Sequence, residues 1–419
     1  MAPPTLFLPA PKETSPHHKF WRAIFNFAIF IVLLFGSLTG GNIFLQYSET
    51  LAESAKIIRP RPPIEIVEPL FAAFKNDFEK IIAKMSVDAI AEFPPLPPAE
   101  RKIGVYIHMN NIANENFLAH EIAKLKKLPN PAIVFDVKGS LVYFNSDSEI
   151  AKKYGLVKSI FDLPAIIEQF NSAGIYSIAR VIAVKDPQFA TRNPAVWLTN
   201  PRSGAPVPEW VDPANAEVLE YNRQIISEIV AAGVDEINLD FVRYPDKFTS
   251  AFLEMTGEEK IANILNFVKM ARTEIKSQNP NAILSVDTFA ILAWDFGKSE
   301  SALGQDIREL AKLADIIAPM LYPATFSREN PNYFLRGESF EYSTVFLTLK
   351  KYKNILGKDS RKLRPWIQGY FSSEKEIREQ IEAVFDSGIC GFTVWDIQND
   401  YSETYKILGE IELPEECRG

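Results

Sequence analysis

The chain changes its pattern of apolar and polar positions at Lys102. Beyond it, short apolar runs alternate with longer segments whose apolar residues recur at helical spacing, which is typical of parallel β-α units. The short runs predict eight strands, at 103–109, 132–137, 175–184, 236–241, 283–289, 316–321, 364–370 and 391–395. The segments between and after them predict eight helices, at 116–127, 163–173, 215–232, 258–278, 304–314, 342–356, 374–387 and 403–409.

Eight such units over residues 101–412 predict an α/β fold, a (β/α)8 TIM barrel. A doubly wound open sheet is the alternative. Its nucleotide-binding versions lose support because no GxGxxG motif follows the first strand and the chain has no GxxxxGK[ST] motif. Gly174, Gly233 and Gly388 each stand between a predicted helix and the next strand. We expect a left-handed backbone at these three positions.

The N-terminal residues do not share this pattern. Residues 23–45 contain no charged side chain. This uncharged stretch is long enough for a membrane-spanning helix, which needs roughly 20 residues. Lys12, Lys19 and Arg22 precede them, and this charge bias predicts a cytoplasmic tail (1–22), a transmembrane anchor (23–45) and an exported remainder. Two alternatives stay open: a signal peptide cleaved within 37–41, and a buried core helix.

Residues 46–100 are predicted to form a Pro-rich stalk between the anchor and the barrel. Proline runs at 59–63 and 94–98 act as stiff spacers. Apolar residues at helical spacing predict a helix over 70–85. We expect this helix to dock on the next domain or to pair with a second copy of itself.

Composition narrows the classes of function. The net charge of −8 argues against a nucleic-acid partner. Of the four histidines, only His108 and His120 fall in the barrel, which is too few for a His-rich metal site. Two cysteines exclude a disulfide-rich scaffold and a Cys-rich zinc module. An exported location would permit one disulfide, between Cys390 and Cys417.

Charged residues concentrate where the predicted strands end. Four carboxylates and three cations stand at these ends: Asp136, Asp240, Asp287 and Asp396, with Lys138, Arg180 and Arg243. A single carboxylate at such a position is commonly a helix cap or a loop hydrogen bond. Several converging charges are costly to bury unless they pair or act on a ligand. Because TIM-barrel active sites lie at the carboxyl ends of the strands, we expect a functional cleft there.

Asp240 and Asp287, on neighbouring predicted strands, are the candidate catalytic pair. Glycosidic bond hydrolysis needs one protonated carboxyl and one ionised carboxylate. A nearby cation, Arg180 or Arg243, would keep one carboxylate ionised, while burial away from water would raise the pKa of the other carboxyl group. The aromatic side chains of Tyr106, Tyr322, Trp366 and Trp395 offer flat faces on which sugar rings could stack. The expected substrate-binding residues are Asp136, Lys138, Arg180, Arg243, Tyr322, Trp366, Gln368, Trp395 and Asp396. We expect neither a metal nor another cofactor.

Seven stretches, in order, carry a resemblance to a known family: FDVKGSLVYF, GIYSIARVIAVKDPQFA, WVDPANAEVLEYNRQIISEIVAAGVDEINLDFVRYP, LSVDTF, GQDIRELAKLADIIAPMLYPATF, RPWIQGYF and GFTVWDIQNDY. With the first strand they span roughly residues 103–401. The chain resembles a TIM-barrel family of glycoside hydrolase domains, formerly catalogued as a domain of unknown function and related to the α-amylase-like hydrolases. The resemblance implies carbohydrate hydrolysis, with Asp240 at the position of the nucleophile.

The chain departs from the family pattern at three places. Asp287 stands where the related hydrolases usually carry a glutamic acid as the general acid. Gly139 and Ser140 replace residues that are often acidic in the family, and Trp395-Asp396 replaces the usual Trp-Asn. The last change puts an additional carboxylate, Asp396, near the expected cleft.

The leading hypothesis is an exported, membrane-tethered glycoside hydrolase that acts on an envelope or extracellular polysaccharide through two carboxylates. One alternative is a glycan-binding barrel without catalysis, which would keep the aromatic residues but needs no carboxylate pair. The other is an enzyme dependent on a divalent metal ion held by oxygen atoms of Asp136, Asp240 and Asp287.

Overall fold

The computed structural model describes residues 98–200, 202–245 and 253–418. Twelve strands lie within them: β1 (Ile103–Ile107), β2 (Pro131–Lys138), β3 (Val142–Phe144), β4 (Val157–Phe161), β5 (Tyr176–Ile182), β6 (Trp197–Thr199), β7 (Pro206–Val211), β8 (Glu236–Asp240), β9 (Ile283–Phe289), β10 (Ile316–Leu321), β11 (Trp366–Gln368) and β12 (Phe392–Trp395). Eight of them form a closed parallel barrel in the order β1-β2-β5-β8-β9-β10-β11-β12, with β12 paired to β1. The predicted TIM barrel is confirmed, and the open sheet is excluded.

Helices connect these strands. The described residues contain α1 (Met109–Ile112), α2 (Glu115–Leu125), α3 (Glu149–Lys153), α4 (Leu163–Ala173), α5 (Pro187–Arg192), α6 (Ala216–Ala231), α7 (Gly257–Gln278), α8 (Lys298–Leu303), α9 (Ile307–Leu313), α10 (Phe340–Leu356), α11 (Glu374–Asp386) and α12 (Ser402–Glu410). Each of the eight predicted helices overlaps one of them. The main hydrophobic core joins buried strand residues to the apolar faces of these helices.

Helix ends follow local sequence signals. Capping boxes begin α7 and α11, where the side chains of Thr256 and Ser373 each accept a hydrogen bond from a backbone N–H one turn on. The backbone is left-handed at Gly174, Gly233 and Gly388, with φ values of 70°, 87° and 70°. These three predicted turns are confirmed, and each lets a helix end immediately before the next barrel strand.

Two excursions from the barrel were not predicted. Strand β3 pairs antiparallel with β2, and β4 pairs in parallel with β3, so the sheet extends beyond the barrel wall at this point. Strands β6 and β7 form a separate antiparallel ribbon between α5 and α6. Both excursions lie in loops that follow the carboxyl ends of barrel strands.

The barrel interior changes from ionic to apolar and back to ionic along its axis. At the amino end, the buried guanidinium of Arg364 donates to both carboxylate oxygens of Glu236 and, at 2.9 Å, to the carbonyl oxygen of Ala99. An apolar cluster follows: Tyr106, Ala132, Val134, Ile178, Ala318 and Trp366. Charged residues then line the carboxyl end. The barrel is therefore a packed core that opens to solvent at the carboxyl end.

The two cysteines are joined. Cys390, just before β12, forms a disulfide with Cys417, whose Cα lies 5.2 Å from that of Cys390. The predicted tail and anchor, and all but the last few residues of the predicted stalk, lie outside the described residues. Among the helices that are described, none is both long and apolar enough to span a membrane.

Candidate active site

Arg180 links two carboxylates at the carboxyl end of the barrel. Its side chain projects from β5, between Asp136 on β2 and Asp240 near the end of β8. The guanidinium donates from Nη1 to Asp136 at 2.5 Å, and from Nη2 and Nε to Oδ2 of Asp240 at 2.5 and 3.2 Å. Burial alone would lower the pKa of Arg180, but the two carboxylates raise it well above its usual value. The guanidinium therefore stays charged, and it forms ion pairs with both carboxylates.

Asp287 lies beside Asp240 in a different environment. Leu239 pairs with Val286, so the next residues, Asp240 and Asp287, stand at the same height on neighbouring strands. Oδ1 of Asp287 accepts hydrogen bonds from Nε1 of Trp366 at 2.7 Å and from Nδ2 of Asn238 at 2.8 Å. Burial and, second, the negative charge of Asp240 raise the pKa of Asp287 to about 8. This raised pKa favours the protonated form of Asp287, whereas its neighbour Asp240 is ion-paired with Arg180.

Aromatic rings contact this group of charged residues. The ring of Trp395 lies 6.2 Å from that of Tyr106, 5.6 Å from that of Tyr322 and 5.2 Å from that of Tyr370, measured between centroids. The hydroxyl of Tyr106 donates to Asp136 at 2.5 Å. Burial and the charges of Asp287 and Asp240 raise the pKa of Tyr322 well above its usual value, so its hydroxyl remains a donor.

A cleft of about 430 Å³ lies at the carboxyl ends of β9 and β10, and its lining includes neither Asp240 nor Asp287. Its lining is mostly apolar and aromatic: Phe289, Ala290, Ile291, Met320, Tyr322, Thr325, Phe326 and Tyr333. Ligand sites are typically clefts of this kind, with a few polar groups that fix orientation. Tyr322 belongs both to this cleft and to the aromatic ring group around Trp395, so the two surfaces are continuous.

Residues 104–401 match the model of a family described as "Putative glycosyl hydrolase domain". The chain belongs to this family. The resemblance inferred from the seven sequence stretches is thereby confirmed, and the matched residues include the whole group around Asp240 and Asp287. No curated protein is similar enough in sequence to count as a match.

Solved structures are also similar to this glycosyl hydrolase domain. A hypothetical protein from Ruminiclostridium thermocellum ATCC 27405 is 26% identical, over 44% of this chain and 96% of that one, with a TM-score of 0.38. A beta-galactosidase from the psychrophilic Marinomonas ef1 is 11% identical over 70% and 54%, with a TM-score of 0.49. A class V chitinase from Pseudomonas fluorescens Pf-5 is 12% identical over 74% and 98%, with a TM-score of 0.47.

Two predicted substrate-binding residues of the glycosyl hydrolase domain are engaged by its own loops. Lys138 is fully buried, and its Nζ donates to Asp186 at 3.0 Å and to the carbonyl oxygen of Ile182 at 2.7 Å. Gln368 accepts from the backbone of Ala324 at 2.9 Å through Oε1 and donates to Tyr370 through Nε2. These contacts hold both side chains in place, and their predicted contact with substrate stays a prediction.

Arg243 and Asp396 also make contacts within the domain. The guanidinium of Arg243 packs 4.2 Å from the ring centroid of Phe289 and donates to the carbonyl oxygen of Tyr244 at 2.8 Å. Oδ1 of Asp396 accepts from the backbone N–H of Gln398 at 2.8 Å, as a loop-capping carboxylate does. Arg180 and Arg243 were the two candidates for the cation beside the catalytic pair, and the guanidinium of Arg180 is the one that pairs with Asp240.

Asn238 was not among the predicted site residues, although it donates directly to Asp287. A signal for it exists: Asn238 precedes Asp240 by two residues, so both side chains share the inner face of β8. The cleft residues Phe326 and Tyr333 were also missed, because they follow β10 in a loop with no periodic pattern.

The proposed metal site does not fit the geometry. The guanidinium of Arg180 takes the place between Asp136 and Asp240 that a divalent cation would need. Within the ranges that the structure describes, no group of three or more His, Cys, Asp or Glu side chains could hold a metal ion. The carboxylates are instead neutralised by a side chain of the protein itself.

Proposed function

We propose that this domain hydrolyses glycosidic bonds of a polysaccharide, with Asp287 as the general acid and Asp240 as the nucleophile. One observation carries the proposal: two carboxyl groups on neighbouring strands have opposite environments, one buried and one paired with a guanidinium. Burial raises the pKa of Asp287 to about 8, and Arg180 pairs with the neighbouring Asp240. Such divergence between two carboxyl groups is what acid-assisted glycoside cleavage requires.

In the first step, Asp287 transfers its proton to the glycosidic oxygen as the bond from that oxygen to the anomeric carbon breaks. A carboxylate oxygen of Asp240 forms a bond to the same carbon, which gives a glycosyl ester. In the second step, the ionised Asp287 takes a proton from water. The resulting hydroxide attacks the anomeric carbon, and Asp240 leaves as a carboxylate, so both residues return to their starting states.

The register of the two strands supports retention of configuration. Asp240 and Asp287 stand side by side on paired strands, and paired strands are about 4.8 Å apart. Retaining enzymes hold their two carboxyl groups about 5–5.5 Å apart, whereas inverting enzymes need about 6.5–9.5 Å to admit a water molecule. We therefore expect the product first released to keep the anomeric configuration of the substrate, which proton NMR of early products would measure.

Asp136 and Tyr106 are positioning residues in this proposal. Asp136 holds the Nη1 side of Arg180, and the hydroxyl of Tyr106 donates to Asp136. This chain of contacts fixes the guanidinium so that its other edge faces Asp240. A preorganised cation of this kind stabilises a carboxylate without reorganisation during the reaction.

We further propose that the domain works outside the cytoplasm, on an envelope or extracellular polysaccharide. The uncharged residues 23–45, preceded by Lys12, Lys19 and Arg22, support export with retention at the membrane. The disulfide between Cys390 and Cys417 fits an oxidising compartment. Protease added to intact cells should digest the barrel. A barrel that becomes accessible to protease only after lysis would contradict the proposed location. It would not bear on the proposed hydrolysis, which a separate experiment tests.

The experiment for the chemistry uses the full chain with amylose, β-mannan, glycol chitin and purified peptidoglycan, and it measures the release of reducing ends. We expect hydrolysis of at least one polymer. Asp240→Asn should lower kcat by at least about 10³-fold, because the substituted amide is a poor nucleophile and does not carry the required charge. Asp287→Asn should have its largest effect on substrates with poor leaving groups.

Asp162→Asn is the matched control. Asp162 is exposed and caps α4 by accepting from the backbone N–H of Ala165, and asparagine caps helices equally well. Its turnover should equal that of the unmodified chain. Full turnover by Asp240→Asn, or hydrolysis of none of the polymers, would contradict the proposal. Binding of a glycan without hydrolysis would support the non-catalytic alternative instead.

A further inference from the structure

Exposed apolar surface is concentrated at one end of the barrel. Among the described residues, three large hydrophobic side chains are exposed: Phe334, Phe371 and Ile397. Each lies in a loop that follows the carboxyl end of a barrel strand, namely β10, β11 and β12. Phe371 stands out because 90% of its surface is exposed. A ring held in water at this end of the barrel is available for contact with a bound partner.

The backbone at Phe371 reinforces this interpretation. Its φ is +51°, in the left-handed region that a bulky side chain rarely adopts. The turn is braced on both sides, because the carbonyl oxygen of Tyr370 accepts from Nε2 of Gln368 at 3.0 Å and from Oγ of Ser372 at 3.2 Å. The protein therefore holds an exposed ring in a strained position that gains nothing from burial in its own core.

Phe371 continues a row of rings that begins at the reaction centre. From Trp395, the row passes to Tyr370 at 5.2 Å and then to Phe371 at 5.7 Å, between centroids. Tyr322 joins the same row at 5.6 Å from Trp395, and it also lines the cleft on the other side. Neighbouring rings in the Trp395–Tyr370–Phe371 part are nearly perpendicular, at 85° and 78°. Aromatic groups thus extend from Tyr322 in two directions, which suits a chain of sugars and exceeds what one sugar needs.

We propose that Phe371 is the outermost element of a binding site for a glycan chain, where it stacks on the apolar face of a sugar several units away from the cleaved bond. This inference rests on the proposed function, since it identifies the substrate as an extended chain. The occupant is a glycan because the row of rings is continuous with the catalytic pair. Contact with Phe371 would then favour long chains over short ones, with little effect on the chemical step.

The test uses the full chain carrying Asp240→Asn, so that binding is measured without turnover. The probes are malto-, chito- and mannooligosaccharides, each as a disaccharide and as an octasaccharide, and the readout is Kd by calorimetry. Adding Phe371→Ala should weaken octasaccharide binding about five- to tenfold, the range expected when one aromatic contact is lost. Disaccharide binding should change by less than about twofold, because a disaccharide at the cleavage point does not reach Phe371.

Two further variants separate stacking from folding. Phe371→Trp keeps a flat ring and should retain octasaccharide binding. Phe371→Asn removes the ring but tolerates the left-handed backbone, so it should bind as weakly as Phe371→Ala while its Tm equals or exceeds that of the parent chain. Equal loss for both lengths, or no loss for the octasaccharide, would overturn the inference even if the unmodified enzyme cleaves glycans.

The two proposals fail in different ways. Suppose that Phe371→Ala weakens octasaccharide binding but not disaccharide binding, and that the unmodified protein cleaves no glycan. The proposed catalysis is then wrong, and the glycan-chain site stands. If no probe binds at either length, the inference is overturned. Binding of Phe371 to phospholipid vesicles with no glycan effect would also overturn it, because the exposed ring would then belong to a membrane contact.

Discussion

Replacing Trp366 with phenylalanine would remove one of the two donors to Oδ1 of Asp287 while keeping an aromatic ring in the barrel core. The indole Nε1 donates to this oxygen at 2.7 Å, and the other donor, Asn238, stays in place. A hydrogen bond donated to a carboxylate stabilises the ionised form and lowers its pKa. Loss of that donor should therefore raise the pKa of Asp287 further.

The magnitude follows from the hydrogen bond. A hydrogen bond to a charged group is worth about 1.5–3 kcal/mol, and one pKa unit corresponds to about 1.36 kcal/mol. Trp366→Phe should thus raise the pKa of Asp287 from about 8 by about one to two units. Because Asp287 acts in its protonated form, the fall of kcat/KM at alkaline pH should move to higher pH by the same amount.

The assay is the pH dependence of kcat/KM for the full chain and the variant on a glycan that the chain cleaves. Trp294→Phe is the matched control, because its indole donates to Thr348 at 2.9 Å and not to a carboxylate. That control should leave the alkaline limb in place. An alkaline limb of Trp366→Phe that stays fixed or moves to lower pH would refute the reasoning.

Three further predictions concern stability. Asp287→Asn should raise Tm more at pH 8.5 than at pH 4. The reason is that a raised pKa makes the native state lose stability as pH rises from about 4 towards 8, and the amide, which does not ionise, abolishes that loss. Each kcal/mol of recovered unfolding free energy should raise Tm by about 2–4 °C. No pH dependence of the gain would contradict this. Glu236→Gln should lower the free energy of unfolding by about 3–5 kcal/mol, since it leaves the buried guanidinium of Arg364 without its countercharge; denaturant titration measures this, and a loss below about 1 kcal/mol would be inconsistent with the buried pair. Cys417→Ser should cost about 3–4 kcal/mol, from the 27-residue separation of the cysteines, and reductant should destabilise the parent chain but not the variant.

The repeated elements of the fold could be predicted because each has a strong periodic signal. Barrel strands are buried apolar runs, and their helices carry one apolar face, so position along the chain was enough to assign them. Strands β3 and β6 have three residues each, which is too short for alternation to be recognised. Pairing of such short strands depends on contacts distant in sequence, and these are not visible in the local pattern.

The site was predictable to the extent that strand ends could be located. Asp240 and Asp287 follow directly from that rule, and the structure adds that they stand side by side. Lys138 departs from strict alternation. Strict alternation would put Lys138 on the same face as Asp136, but the pairing of β2 with β5 shifts register between these two residues. The shift turns Lys138 towards Asp186, and a single sequence gives no signal for it.

The central claim is that Asp287 is protonated at neutral pH beside an ionised Asp240. Difference infrared spectroscopy of the full chain against Asp287→Asn measures this directly, through the C=O stretch of a protonated carboxyl group. The account predicts a protonated-carboxyl band assigned to Asp287 at pH 6.5 that disappears as pH rises through about 8. Absence of the band at pH 6.5, with Asp287 already ionised, would contradict the account.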